Sequence, residues 1–399
     1  MSVRDEISAA LTALDTAADL GAVVARDDDA ALARADELDR TSTRGAMHGR
    51  AITVKDWIDV AGLPCEGESP ERTGRVPTRD ATAVARLRAA GAVVIAKTQP
   101  GADHPLHGRC VHPLDPTRSP GGSSSGEATS IGRGASRLGL GSDSGGSIRL
   151  PAAWCGVVGL KPSAGLVPTT GHFPRVGDRT DGRTVIGPLA RAVADARRTL
   201  ALIAGPDGVD AGCAPVPLGD PGTVDVSALR VGIVSAGDAW TPADSTAGAV
   251  DRAIGHLRDT GARVVHGPPA SHLDESLDIT QRYWRRAAHD PRLTGAEVDV
   301  QLRDWDGFAS RFARLAADAD VVVGPVVRDV APPARPLGGD DYVFTLAWSL
   351  AGWAAISLPA GTDPATGLPL AVQIAAPRWH DHVALAVAAH LERAFGTGR

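Results

Sequence analysis

Three segments of the chain bring serine hydroxyls, glycine-freed amides and a lysine within reach of shared chemistry. They are Gly49-Arg50-Ala51-Ile52-Thr53-Val54-Lys55-Asp56, Pro120-Gly121-Gly122-Ser123-Ser124-Ser125-Gly126 and Gly141-Ser142-Asp143-Ser144-Gly145-Gly146-Ser147-Ile148-Arg149. A serine hydroxyl is a weak nucleophile until a base takes its proton. The first segment offers that base, because Ala51-Ile52-Thr53-Val54 reads as a strand ending at Lys55, where desolvation lowers an amine's pKa. In the third, small residues leave amide N–H groups free to point one way and form a concavity for a negative oxygen, with the Ser147 hydroxyl beside it. The second adds further hydroxyls on a flexible loop. Together they suggest a Ser–Ser–Lys relay.

Each piece has a plainer reading. Serine and glycine loops are usually turns. A phosphate cradle of the Walker type needs Lys-Ser/Thr directly after its last glycine, whereas Glu127 follows Gly126 here and would repel phosphate. Asp143-Ser144-Gly145-Gly146 looks like the nucleophile turn of a trypsin-like protease, which would make Ser144 the nucleophile. Such proteases need many short strands and a histidine turn upstream, and neither is visible. Asp103, His104, His107, Cys110 and His112 cluster enough to suggest a metal, but Pro105 interrupts the His104-x-x-His107 pair. A loop at the substrate entrance is the preferred reading, and no metal is expected.

The composition sharpens the case for Lys55. The 399-residue chain has three lysines, Lys55, Lys97 and Lys161, against thirty-eight arginines, and no asparagine. Arginine cannot deprotonate near neutral pH, so each surviving lysine is a candidate for work that arginine cannot do. A formal net charge of −6 and 22% charged residues argue against a basic nucleic-acid surface and against disorder. Four cysteines without a C-x-x-C pair read as reduced thiols. The N-terminus turns acidic at once, so a cytoplasmic protein is expected. Residues Tyr342 to Thr362 carry no charge over a length that could cross a bilayer, but Ser349, Gly352, Ser357 and Pro359 divide them into a helix and a strand, and no membrane role is expected.

The elements that must hold these residues alternate. Asp5–Leu14 and Asp29–Asp39 read as helices of an N-terminal arm spanning residues 1–45. Strand Ala51–Val54, helix Ala81–Ala90 and strand Ala92–Ala96 give a β–α–β rhythm, and loop-rich character is expected from Thr98 through Pro162. Gly205 to Gly222 reads as a surface crossover. Beyond it, strands Leu229–Val234, Ala262–Val265, Val321–Gly324 and Leu370–Ala375 alternate with helices Ala243–Arg258, Ser271–Ala288, Ala296–Ala317 and His382–Phe395. Such alternation implies a parallel or mixed sheet with helices on its faces.

At this point the three segments resemble the amidase signature family, serine hydrolases with a Ser-cis-Ser-Lys triad. The serines stand 24 residues apart, as in that family, and the likeness runs on through Arg149–Ala153, Gly156–Ser163, Gly187–Arg191 and Gly367–Gln373. It covers most of residues 46–399 and is weakest over 207–341. The resemblance implies a single α/β/α domain, a central mixed sheet covered by helices on both faces. It implies Ser147 as nucleophile, Ser123 as the bridging serine joined to Gly122 by a cis peptide, and Lys55 as base. The backbone N–H groups of Ser144, Gly145, Gly146 and Ser147 would form the oxyanion hole. Ser124 is expected as a hydrogen-bond support; Arg149 is expected as structural, with contact to an acidic substrate group as its other reading. Gln99 and Ser349 stand where asparagine is usual, and Ala51 and Ala354 where proline is. The implied reaction is hydrolysis of a linear small-molecule carboxamide to acid plus ammonia or amine, with no cofactor, no nucleic acid and a homodimer left open. Acyl transfer within an amidotransferase complex and a catalytically silent binding scaffold are the competing readings.

Overall fold

Period-two runs of apolar residues make strands, and amphipathic runs make the helices that cover them. The computed structural model describes residues 2–173, 182–287, 294–315 and 317–396. The chain begins α1 (Val3–Thr16), β1 (Val23–Ala25), α2 (Asp28–Asp39), followed by β2 (Ala51–Lys55), α3 (Thr82–Ala89) and β3 (Val93–Thr98). A hairpin, β4 (Asp103–His104) and β5 (Gly108–Arg109), leads to α4 (Ser125–Arg133), β6 (Leu138–Asp143), α5 (Arg149–Cys155), β7 (Val158–Lys161), β8 (Val185–Ala190) and α6 (Val193–Ile203). The second half runs β9 (Arg230–Ile233), α7 (Asp244–Thr260), β10 (Arg263–His266), α8 (Ser271–Ala287), α9 (Gly295–Leu315) and β11 (Val321–Pro325). It ends with α10 (Val343–Leu350), β12 (Ala354–Thr362), β13 (Pro369–Ala376) and α11 (Asp381–Phe395).

Eleven strands form one sheet in the order β1-β3-β2-β6-β8-β7-β12-β13-β11-β9-β10. β2 runs parallel to β3 and β6, β9 runs parallel to β10 and β11, and the strands between these groups pair antiparallel. The mixed α/β/α architecture is therefore as expected. Ile52, Val54 and Leu140 face a core shared with α3, α6, α7 and α11. Helices α1 and α2 pack on Val93 and Ile95, while Phe308 and Phe312 of α9 and Trp348 of α10 pack on Val322, Ala355 and Ala375. The arm also supplies an unforeseen edge strand, since β1 pairs antiparallel with β3.

The largest departure from the sequence reading lies between Ser130 and Pro162. Instead of loop, this region holds the end of α4, two central strands and α5. Its glycines mislead because they are there for space. Glu127 of α4 is buried and accepts hydrogen bonds from Thr53 Oγ1 and Thr98 Oγ1, both at 2.6 Å. A Cβ on Gly139 would stand 1.8 Å from Glu127 Oε2 and 2.6 Å from Thr53 Oγ1. Gly139→Ala must push that carboxylate off its two donors, so we expect a loss of roughly 1–3 kcal/mol in urea denaturation, the usual cost of overpacking. An unchanged midpoint would show that Glu127 is not wedged there.

Tyr342 to Thr362 is the buried pair α10 and β12, and among the described residues no helix is long and apolar enough to cross a membrane.

Candidate active site

Strand parity turns Ile52 and Val54 into one core and leaves Lys55 on the opposite face, against the α4 loop. Lys55 is wholly buried, and its Nζ donates to Ser123 Oγ at 2.7 Å and to Ser142 Oγ at 3.2 Å. The Trp57 ring lies 3.8 Å from the same nitrogen. Burial pushes the Lys55 amine from its ordinary 10.5 down to about 7, against the opposing pull of the Glu68, Asp143 and Glu127 carboxylates. Lysine accepts a proton only when neutral. If it is the base, kcat/KM must rise with pH through about 7 and then level off. A pH-rate profile with its acid limb near 4 would instead assign the base to a carboxylate.

Ser123 precedes α4 on a loop whose Gly122–Ser123 peptide bond is cis. Tyr342 Oη donates to Gly122 O at 3.0 Å, and Gly101 N–H donates to Ser123 O at 2.9 Å. The bridging-serine loop and the nucleophile loop are joined directly, because Ser124 N–H donates to Ser147 O at 3.0 Å while Ser124 Oγ donates to Ser142 O at 3.3 Å. Ser123 and Ser147 are both half-buried. Ser147 Oγ makes no hydrogen bond to a described residue, so the lysine leg of the relay is closed and the leg between the two serines is open.

The turn between β6 and α5 is built on Asp143. Burial raises this carboxyl, but the Arg149 charge and a ring of donors hold it below the ordinary carboxylate range. Asp143 Oδ2 accepts Arg149 Nε at 3.0 Å and Ile148 N at 3.2 Å, and Oδ1 accepts Arg149 Nη2 at 3.0 Å and Gly146 N at 2.7 Å. That last bond removes the Gly146 N–H from the four expected to meet an oxyanion. The N–H groups of Ser144, Gly145 and Ser147 have no acceptor among the described residues. Gly146 adopts φ +140°, and a Cβ there would lie 2.3 Å from Thr345 Oγ1. Trp284 and Leu346 pack over Gly145.

Arg149 is fully buried and spends its guanidinium on Asp143, Thr345 O, Gln373 Oε1 and Ser349 Oγ. It has no face left for an acidic substrate, so its other reading is set aside. The two asparagine replacements are also accounted for: Ser349 Oγ accepts from Arg149 at 2.8 Å, and Gln99 Nε2 donates to Gly108 O at 2.9 Å. Ser144 Oγ is turned away to Thr184 Oγ1 at 2.5 Å. The histidine cluster does not converge: His112 Nε2 meets Trp154 O at 2.8 Å, while His107 Nε2 meets Glu66 Oε2 at 3.2 Å.

Sequence reasoning missed Ser142, Trp57 and the Tyr342 hydroxyl, and read Tyr342 as core alone. The one usable signal for Ser142 was its place two residues before Ser144 in the named segment, and that does not say where its hydroxyl points.

The model of the amidase family matches residues 6–316 and 300–385. The amidase-family component of a glutamyl-tRNA(Gln) amidotransferase from Nitratidesulfovibrio vulgaris is 32% identical over 87% of this chain and 84% of its own. An acylamidase of Rhodococcus erythropolis is 30% identical over 87% and 82%. The solved peptide amidase of Stenotrophomonas maltophilia superposes with a TM-score of 0.82 at 26% identity, covering 100% of this chain and 95% of that one.

Proposed function

Because the chain belongs to the amidase family, we propose that it hydrolyses a small carboxamide through an acyl-enzyme on Ser147, with Ser123 relaying the proton to Lys55. Ser147 Oγ attacks the carbonyl carbon, its proton passes to Ser123 Oγ, and the Ser123 proton passes to neutral Lys55 Nζ. The carbonyl oxygen becomes an oxyanion facing the N–H groups of Ser144, Gly145 and Ser147, which are worth most where water is excluded. Collapse breaks the C–N bond, and the nitrogen leaves with the proton returned from Lys55 through Ser123. Water then repeats the sequence on the ester and releases the acid. Ser124 and Arg149 act as positioning residues, one tying the two serine loops together and the other anchoring the nucleophile turn.

The observation that carries this reading is the 2.7 Å contact between a wholly buried lysine and Ser123. The experiment is ammonia release across aliphatic, aromatic and acidic amides, with and without a serine-reactive fluorophosphonate. Turnover abolished by the fluorophosphonate supports the reading; labelling without turnover of any amide favours the silent scaffold. A second reading, delivery of ammonia to a partner-held acceptor, is favoured by the likeness to the glutamyl-tRNA(Gln) amidotransferase component. Ammonia release from glutamine far above every other amide would put it first.

A further inference from the structure

The relay leaves one charged group beside it without a task. Glu68 lies in the loop that follows β2, and it is one of two non-glycine residues with positive φ among the described residues, at +63°. Left-handed backbone is uncommon for a side chain of this kind and persists where the surroundings hold it. Its carboxylate rests on Gly101: a Cβ on that glycine would stand 2.1 Å from Glu68 Oε1. Gly101 is the residue whose N–H holds Ser123 O, so the carboxylate sits beside the backbone of the bridging serine. Glu68 is half-buried and forms no hydrogen bond or ion pair with any described residue. Its neighbour Glu66 is different, being tied to Gly74 N–H and His107. The charged groups that Glu68 feels are Lys55 and Asp56; Asp56 is paired with Lys97, and Lys55 is committed to Ser123 and Ser142.

An anionic group held half out of water with no partner is costly unless a ligand supplies the partner. We propose that Glu68 is a specificity-determining residue that selects amides carrying a positively charged amine and rejects those carrying a carboxylate at the same position. This rests on the amidase reading above and extends it to the substrate's charge. Arg149, the one cation at the nucleophile turn, is consumed within the protein, so no described residue there offsets the selection. The aromatic faces of Trp57 and Phe173, which pack around Gly67 next to Glu68, give an alkylammonium chain an apolar wall.

The test compares linear amides of four to eight carbons ending in methyl, ammonium or carboxylate, assayed at pH 8.5. At the best chain length we expect kcat/KM for the ammonium form to exceed the methyl form at least tenfold, and the carboxylate form to be the poorest. In Glu68→Gln the ammonium-to-methyl ratio should fall below three, with undiminished fluorophosphonate labelling of Ser147 reporting an intact fold. A wild-type ratio below three, or a ratio unchanged in Glu68→Gln, overturns the proposal. If no amide turns over, the same compounds are scored for protecting Ser147 from the fluorophosphonate. Preferential protection by the ammonium series, lost in Glu68→Gln, supports the Glu68 proposal while the hydrolysis reading fails. Equal protection by all three series overturns the proposal.

Discussion

Ser147→Ala is expected to lower kcat/KM by at least about 10⁴ while the protein remains folded, and Lys55→Ala to do nearly the same, because a nucleophile and its base act as a unit. The argument rests on which hydroxyl is free. Ser144 Oγ is occupied by Thr184, whereas Ser147 Oγ has no partner among the described residues and belongs to the turn whose open N–H groups could receive an oxyanion. Ser144→Ala should therefore stay within tenfold of the parent. Single-turnover kinetics on the best amide of the panel, with circular dichroism to report folding, decides it. A dead Ser144→Ala beside an active Ser147→Ala would move the nucleophile to the trypsin-like position. The double variant Ser147→Ala/Lys55→Ala should be scarcely worse than either alone; additive losses would mean that the two residues serve separate steps.

The second large effect is structural. Arg149→Met should cost about 3–5 kcal/mol, because removing one partner of a buried ion pair strands the other charge. Asp143 and Arg149 are both fully buried, and the same guanidinium also satisfies Thr345 O, Gln373 Oε1 and Ser349 Oγ, joining the nucleophile turn to α10 and β13. For a domain stable by about 5–15 kcal/mol that is a large share, so reduced soluble yield and a lowered urea midpoint are expected together. Arg149→Lys should not restore the midpoint, since a point-like ammonium cannot replace a fork that meets four groups. Because the folded Asp143 carboxyl is held below its ordinary range, its contribution is present above that range and is lost only as pH falls below it. A loss under about 1 kcal/mol in Arg149→Met would show that the pair is dispensable.

Some of this was legible without coordinates. The 24-residue spacing of Ser123 and Ser147, the scarcity of lysine and the strand ending at Lys55 locate the relay residues, because they are local statements about residue type and order. The helices and strands of the second half were readable for the same reason: apolar period in α7, α11 and β13 is a property of neighbours along the chain. Where glycine replaces side chains the period disappears, and β6 was therefore read as loop although it lies at the heart of the sheet.

Only the tertiary structure decided how the site is finished. That Gly139 is small because Glu127 needs its space, that Gly146 N–H is spent on Asp143, and that Arg149 faces inward are consequences of packing between distant segments. Glu68 shows the division most plainly. By sequence it is one acidic residue in a turn, and its place beside the Ser123 backbone exists only because the loop after β2 folds onto the loop after β3, through contacts whose partners lie more than thirty residues apart. Residue type and spacing determined which groups this chain has for acyl chemistry. Their orientation, their partners and the groups left unpaired were set by the fold, because hydrogen-bond direction and burial depend on neighbours that the order of residues does not name.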